Sequence, residues 1–289
     1  MLTAMVTPMT SEGAVDYAGA ARLADYLVTQ MRNDGLVISG TTGESPTTTD
    51  AEKDRLLRTV IEAVGGRARV VAGVGTNDTA HTCELAKRAE QAGADALLVV
   101  TPYYNKPPQN GLVAHFTAAA DATGLPVMLY DIPGRTGVPI KTETLIQLAQ
   151  HPRIVAVKDA KGDMTAASLV MTATDLAFYS GDDVVNLPWL SLGACGFVSV
   201  VGHVVGDRLA EMIEAYLSGD VSAALRLHRD LLPVFVGIMT RTQGVITTKA
   251  ALAMLGLPGG AVRPPLANAT DGEVEQLRAD LVAGGVKLR

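Results

Sequence analysis

The chain has 289 residues, of which 48% are hydrophobic and 19% are charged. This composition supports a large folded core and excludes a disordered protein. The net charge of −6, with no basic stripe, argues against nucleic acid and anionic membrane surfaces as partners. No apolar run is long enough to span a membrane and no signal peptide is visible, so we expect a cytoplasmic protein. The first predicted strand begins beside Met1, which leaves room for a short leader outside this sequence.

Apolar runs typical of buried strands alternate with amphipathic helical stretches along most of the chain. The predicted strands are residues 2–6, 36–39, 70–74, 96–100, 127–130, 154–158, 177–180 and 196–200. The predicted helices between them are residues 17–30, 51–64, 79–92, 112–122, 142–149, 164–173 and 184–192. Helix N-caps are expected at Asp78, Asp163 and Asp182, and glycine C-caps at Gly35, Gly66, Gly93 and Gly124.

Eight buried strands, each followed by a helix, predict an α/β fold of the TIM or (β/α)8 barrel type. A doubly wound sheet is the alternative, because periodicity alone does not show closure. After the eighth strand the pattern changes to consecutive helices at residues 208–217, 222–239, 246–255 and 273–283. We therefore expect a catalytic barrel over residues 1–219 and a helical C-terminal region over residues 220–289.

A lysine ends the most apolar of these strands, Ile154-Val-Ala-Val-Lys158, and Asp159 follows it. Burying an ammonium without a partner is costly, so this position needs an explanation. In one interpretation, Lys158 extends to water or pairs with Asp159. In the other, burial disfavours its charged form and leaves an amine that can form a Schiff base with a carbonyl substrate.

Polar residues gather at other strand ends, where catalytic groups of such barrels lie. Thr41 and Thr42, in the turn Gly40-Thr-Thr-Gly-Glu44, could bind a carboxylate through hydroxyls and backbone amides, or only cap a tight turn. Tyr130 ends the strand before that of Lys158, so its phenol is either a proton relay for imine formation or a core tyrosine.

Three further side chains carry open alternatives. Arg135 lies in a predicted loop, Pro-Gly-Arg-Thr-Gly, after the strand of Tyr130. It either binds a second substrate carboxylate or is an ordinary solvated arginine. The pair Tyr103-Tyr104 is either part of the site or an ordinary loop or interface pair.

Metal and phosphate chemistry are not indicated. Histidines 81, 115, 151, 203 and 228 are scattered, which argues against a zinc site. Two carboxylates, Asp182 and Asp183, stand where many barrels bind phosphate and would repel it. Cys83 and Cys195 lie far apart without ligand spacing, which predicts reduced core thiols.

Four segments in this order resemble the dihydrodipicolinate synthase family, a branch of the class I pyruvate aldolases typified by N-acetylneuraminate lyase. They are Gly40-Thr-Thr-Gly-Glu44, Tyr130 with Pro133-Gly-Arg135, Val157-Lys158-Asp159 and Gly196-Phe-Val-Ser-Val200. The resemblance covers essentially the whole chain. It implies a barrel with a helical C-terminal extension, a covalent Schiff base of pyruvate on Lys158, and no metal or bound cofactor.

The resemblance also implies roles for individual residues. Thr41 and Thr42 would hold the carboxylate of pyruvate, and Tyr130 would act as general acid and base. Thr42 would link Tyr130 to Tyr104 in a proton relay, with Tyr104 supplied by a neighbouring subunit of a homotetramer or dimer. Gly181 and Val198 would line the pocket through their backbone carbonyls.

Arg135 favours the synthase over its sister enzymes, because it matches the branch whose second substrate, aspartate 4-semialdehyde, carries its own carboxylate. The product would be 4-hydroxy-tetrahydrodipicolinate, a precursor of lysine and diaminopimelate. The alternatives are a sister aldolase or dehydratase acting on a keto-sugar acid, and a non-catalytic regulatory barrel.

Five positions correspond to the regulatory lysine site of the family, and only some of them carry the residues found in lysine-sensitive enzymes. Ser45, Asn77 and Tyr103 match those residues. Lys53 stands where sensitive enzymes often have a histidine, and His81 where they have a glutamate. Since Lys53 would repel an incoming ammonium and the carboxylate partner is missing, we expect weak or absent inhibition by lysine.

Overall fold

The computed structural model describes all 289 residues and forms a barrel closed in chain order. Its strands are β1 (Leu2–Ala4), β2 (Gly35–Ile38), β3 (Arg69–Gly73), β4 (Ala96–Val100), β5 (Val127–Asp131), β6 (Ile154–Asp159), β7 (Ala177–Ser180) and β8 (Gly196–Ser199). Neighbouring strands pair in parallel, and β1 pairs with β8. The predicted (β/α)8 barrel is confirmed, and the doubly wound sheet is wrong because the sheet has no open edge.

Helices alternate with the strands and then continue alone to the C-terminus. They are α1 (Tyr17–Thr29), α2 (Asp50–Val64), α3 (Thr79–Ala92), α4 (Gln109–Asp121), α5 (Pro133–Thr136), α6 (Thr142–Leu148), α7 (Met164–Ala173), α8 (Asn186–Ser191), α9 (Gly202–Leu217), α10 (Val221–Met239), α11 (Gly244–Met254) and α12 (Asp271–Ala283). The predicted run of helices after β8 is present. The proposed domain boundary at residue 219 stays a prediction.

Two of the predicted helices depart most from the structure. The segment predicted at residues 184–192 is divided into a short 3-10 helix, Asp183–Val185, and α8. Helix α9 begins six residues before the predicted position 208, because Val204 and neighbouring apolar side chains are buried on its first turns. Residues 202–206 are all buried, so they show no amphipathic alternation that would mark a helix, and Val205 has a non-helical backbone.

The expected helix caps are partly correct. The side chains of Asp78, Asp163 and Asp182 each accept a backbone N–H at the start of a helix, as predicted. Gly93 ends α3 with a left-handed backbone, whereas α2 ends at Gly65 instead of Gly66. Gly35 and Gly124 cap no helix. Gly35 begins β2, where an added Cβ would lie 3.0 Å from the Arg69 carbonyl oxygen.

By its internal contacts the chain divides into two compact units. The first unit is Met1–Arg69 with Val198–Arg289, and the second unit is Val70–Phe197. The first has a core that includes Leu23, Ile38 and Phe235. In the second, the ring of Phe178 stacks on Trp189 with 6.0 Å between centroids.

The cysteine prediction needs correction. Both thiols are free, but Cys195 is exposed and Cys83 is only half-buried, so neither is a core thiol. Cys83 lies beside the buried stripe of α3, which runs through Thr82 and Leu85, and Cys195 lies in the turn before β8. None of the helices combines the length and the apolar character needed to cross a membrane.

Candidate active site

Strands β5 and β6 of the second unit place a tyrosine and a lysine side by side. Val127 to Leu129 and Val157 are apolar and fully or almost fully buried, as expected for strands of a parallel sheet. The register pairs Tyr130 with Lys158, and Lys158 in turn with Tyr179 of β7. Because paired residues on neighbouring strands point to the same face, the phenol and the amine lie next to each other.

Lys158 is buried, with only 4% of its surface exposed. Its Nζ lies 4.1 Å from the centroid of the Tyr130 ring. The neighbouring carboxylate does not pair with it, since Asp159 Oδ1 accepts the backbone N–H groups of Lys161 and Gly162 instead. The interpretation in which Lys158 extends to water or pairs with Asp159 is therefore wrong.

Gly181 allows the chain after β7 to approach the stem of the lysine. Its N–H donates to the Asp159 carbonyl at 2.7 Å. A Cβ at this position would lie 3.0 Å from both Cγ and Cε of Lys158 and 2.9 Å from the Asp159 carbonyl oxygen. A side chain at position 181 would therefore have to displace the amine.

A buried charged layer lies directly behind the tyrosine and the lysine, and the sequence analysis missed it. Asp131 is fully buried, its Oδ2 lies 3.2 Å from Lys161 Nζ, and its Oδ1 accepts the Ile140 N–H. Burial raises the pKa of Asp131 to about 6, although Lys161 opposes this shift. Burial likewise raises the pKa of Asp159. The only signal in the sequence was an aspartate after each of the two strand ends.

Arg135 lies in the short helix α5 and not in a loop as predicted, because Pro133 begins a single helical turn. Its side chain is exposed. Tyr104 is 89% exposed and has a left-handed backbone (φ +73°). Tyr103 is half-buried, and burial raises its pKa.

Besides Tyr103, the second unit contains Asn77 and His81 of the expected regulatory site. The Asn77 carbonyl accepts a hydrogen bond from the Asn105 side chain at 2.8 Å. His81 is half-buried on α3.

The first unit contains the turn Gly40-Thr-Thr-Gly-Glu44, which we name the threonine turn. Gly43 N–H donates to the Gly40 carbonyl and Glu44 N–H to the Thr41 carbonyl, each at 3.1 Å. Thr42 is buried and Thr41 is half-buried. The chain at Gly43 passes close to the backbone of Ser39, and a Cβ at this position would lie 3.2 Å from it. These hydrogen bonds fix the backbone of the turn that carries Thr41 and Thr42.

Three other predicted residues belong to the first unit. Val198 is buried within β8 and pairs with Leu2 of β1. Ser45 begins a 3-10 helix, Ser45–Thr47. Lys53 lies on α2, and its ammonium donates to the Thr48 carbonyl.

The structure has no group of three or more His, Cys, Asp or Glu side chains that could hold a metal ion. His203 is a core residue: its Nε2 accepts the Val6 N–H at 3.1 Å, and burial lowers its pKa to about 4. It is therefore a neutral packing residue at pH 7. Whether the chemistry works without a cofactor stays a prediction.

Comparison with known proteins gives one consistent family. A model described as the dihydrodipicolinate synthetase family matches residues 1–283. A protein of Acidothermus cellulolyticus named 4-hydroxy-tetrahydrodipicolinate synthase is 68% identical over 285 residues, covering 99% of this chain and 92% of the relative. A Streptomyces coelicolor protein named 4-hydroxy-tetrahydrodipicolinate synthase 2 is 65% identical over 288 residues, covering 100% of this chain and 96% of the relative.

Solved structures agree with this result. The crystal structure of DHDPS from Cyanidioschyzon merolae with lysine bound superposes with a TM-score of 0.96 at 43% identity. The match covers 99% of this chain and 98% of the Cyanidioschyzon merolae chain. The similarity extends over the barrel and the C-terminal helices alike.

The charged layer predicts a pH-dependent contribution to stability. The folded-state pKa of Asp131, about 6, lies above its ordinary value of 3.8. The folded protein therefore binds this proton more tightly, so the contribution of Asp131 to stability is largest below about pH 4 and declines as the pH rises to about 6. An Asp131→Asn variant lacks this titration. Relative to wild type, we expect its free energy of unfolding to increase by roughly 2–3 kcal/mol between about pH 4 and pH 7.

Urea unfolding at several pH values measures this difference. The exposed Asp230 provides the control, since Asp230→Asn should follow the wild-type pH profile. A constant difference between wild type and Asp131→Asn at all these pH values contradicts the assignment.

Proposed function

Because the chain belongs to the dihydrodipicolinate synthetase family, we propose that Lys158 forms the Schiff base through which it converts its keto-acid substrate. The enzyme is a lyase that condenses pyruvate with L-aspartate 4-semialdehyde to 4-hydroxy-tetrahydrodipicolinate, in lysine and diaminopimelate biosynthesis. The observation that supports the role of Lys158 is its buried amine, 4.1 Å from the Tyr130 ring.

The proposed reaction begins with attack of the Lys158 amine on the keto carbon of pyruvate. Loss of water gives an imine, and loss of a proton from the methyl carbon gives an enamine. The enamine carbon attacks the aldehyde of the semialdehyde, and the adduct cyclises and leaves the lysine. Tyr130 is the adjacent group that donates and accepts protons during imine formation. The imine itself accepts the electrons, so the proposed chemistry needs no metal or bound cofactor.

The remaining roles follow from the family resemblance. Thr41 and Thr42 bind the carboxylate of pyruvate through hydroxyl and backbone donors, and Gly181 and Val198 line the pocket with carbonyls. Arg135 binds the carboxylate of the semialdehyde, which its planar guanidinium can hold with two parallel hydrogen bonds. The exposure of Arg135 supports this role, because a carboxylate arriving from solvent can reach it.

Tyr104 extends the site to a second subunit in this proposal. Thr42 links Tyr130 to Tyr104, which comes from a neighbouring copy of the chain. The 89% exposure of Tyr104 supports a partner contact, because a large aromatic side chain at the surface is typical of an interface. The proposed assembly is a homotetramer built from two dimers.

Replacement of Lys158 by methionine keeps the volume of the side chain and removes the nucleophile. We expect pyruvate consumption in the presence of semialdehyde to fall to the enzyme-free rate, because no imine can form. Tyr130→Phe, which retains the ring, should lower kcat by roughly 10²–10⁴-fold. The exposed Lys141 gives the control, and Lys141→Ala should keep full activity. Turnover by Lys158→Met would contradict the Schiff-base mechanism.

Mixing two inactive variants tests the origin of Tyr104. When Tyr104→Phe and Lys158→Met chains are unfolded and refolded together, hybrid dimers contain one site with both an intact lysine and the partner's tyrosine. We expect about a quarter of wild-type activity, since about half of randomly assorted dimers are hybrids. No recovery is expected if Tyr104 serves its own chain, and that result would refute the shared site.

The proposed regulatory difference is weak or absent inhibition by lysine. Lys53 and His81 replace the residue types of sensitive relatives, so an incoming ammonium gains no carboxylate partner and meets a like charge. Initial rates should be unchanged at sub-millimolar lysine, and a Lys53→His, His81→Glu double variant should become sensitive. Inhibition of the wild type in that range would overturn the proposal.

A further inference from the structure

The threonine turn is held from the C-terminal helical region by a buried ion pair. Lys249 on α11 lies 2.6 Å from Glu44, Nζ to Oε1, and their side chains are 3% and 1% exposed. Lys249 Nζ also donates to the Ala261 carbonyl at 2.6 Å. The second carboxylate oxygen, Oε2, accepts the backbone N–H of Arg263 at 2.8 Å. The Glu44 carboxylate is therefore held by an ion pair at Oε1 and a hydrogen bond at Oε2, both from residues that follow the barrel.

Glu44 occupies a backbone conformation that needs such support. Its φ is +55°, in the left-handed region, which costs a residue other than glycine about 1–2 kcal/mol. Its N–H donates to the Thr41 carbonyl, and its own carbonyl accepts the Thr47 N–H. A change in the orientation of Glu44 would therefore alter the turn that carries Thr41 and Thr42.

Arg263 fixes the chain on the other side of the same turn. Its guanidinium binds both carboxylate oxygens of Glu52, at 2.6 and 2.9 Å, and donates to the carbonyls of Thr47 and Gly13. Glu52 belongs to the capping box that begins α2, together with Thr49. One residue thus holds Glu44 through its backbone and the start of the following helix through its side chain.

Stability alone does not account for the buried pair. Burial lowers the pKa of Lys249, although Glu44 opposes this shift, so the charges are expensive to place there. An apolar pair of similar volume is often as stable as a buried ion pair. What the charged pair supplies in addition is direction, because Oε1 lies against the Lys249 ammonium while Oε2 accepts the Arg263 N–H.

We propose that Glu44 and Lys249 are positioning residues that hold Thr41 and Thr42 in the arrangement that binds the carboxylate of pyruvate. The C-terminal helical region thereby sets the affinity for the keto acid. This inference rests on the proposed function, in which the two threonines bind pyruvate.

Steady-state kinetics of Lys249→Met and Glu44→Gln test the inference, with pyruvate and semialdehyde varied in turn. We expect each variant to raise the KM for pyruvate about tenfold, equivalent to about 1.4 kcal/mol, while kcat and the KM for semialdehyde change little. The double variant should raise it no further than the single variants, because both act through one turn. Lys249→Arg keeps the charge and should restore most of the affinity.

Arg241→Met is the matched control. Arg241 binds Asp280 through two hydrogen bonds of 3.0 Å and joins the end of α10 to α12, within the same helical region but without a contact to the turn. It should lower the unfolding temperature and leave the KM for pyruvate unchanged. If Lys249→Met does not fold, Glu44→Gln, which keeps the shape of the side chain, gives the same test against this control.

The outcomes separate the two proposals. An unchanged KM for pyruvate in folded Lys249→Met or Glu44→Gln refutes the positioning role while the function stands. An equal rise in Arg241→Met would also refute it, since the effect would then be general destabilisation. A wild-type chain that does not consume pyruvate would refute the proposed function, and the inference with it.

Discussion

An amine held out of water at the end of β6 is the constraint on which the structure depends. Lys158 is almost fully buried, and its Nζ lies against the ring of Tyr130 instead of a carboxylate. A lysine that forms an imine must not be occupied by a salt bridge. Gly181 has no side chain that could displace the Lys158 stem from its position. The parallel register of β5 and β6 places Tyr130, which is not a carboxylate, directly opposite Lys158.

Two carboxylates buried next to that amine are kept apart from it. Successive residues of a strand point to opposite faces, so Asp131 and Asp159 point away from the face that carries Tyr130 and Lys158. Asp131 pairs there with Lys161, and Asp159 accepts backbone N–H groups. In the first unit, the buried carboxylate of Glu44 in the threonine turn pairs with Lys249. Asp131, Asp159 and Glu44 therefore each have partners that are not proposed reacting groups.

The sequence predicts local structure and the order of the strands well, because periodicity and strand-end residues are local signals. The strands, three helix N-caps and the pairing of Tyr130 with Lys158 follow from them. Contacts between distant residues leave no such signal. The Arg263–Glu44 hydrogen bond joins residues 219 positions apart, and no pattern indicated it. Gly35 resembles a helix cap in the sequence, because a glycine needed for a close approach looks the same as one needed for a left-handed turn.

The central claim is that Lys158 is the amine that binds pyruvate covalently. Borohydride reduction of the enzyme with pyruvate alone, followed by mass spectrometry of its peptides, tests this most directly. We expect one reduced pyruvyl group per chain, located on Lys158 and absent from Lys158→Met. An adduct on another lysine, or none in an enzyme that consumes both substrates, would contradict the assignment of Lys158 as the nucleophile.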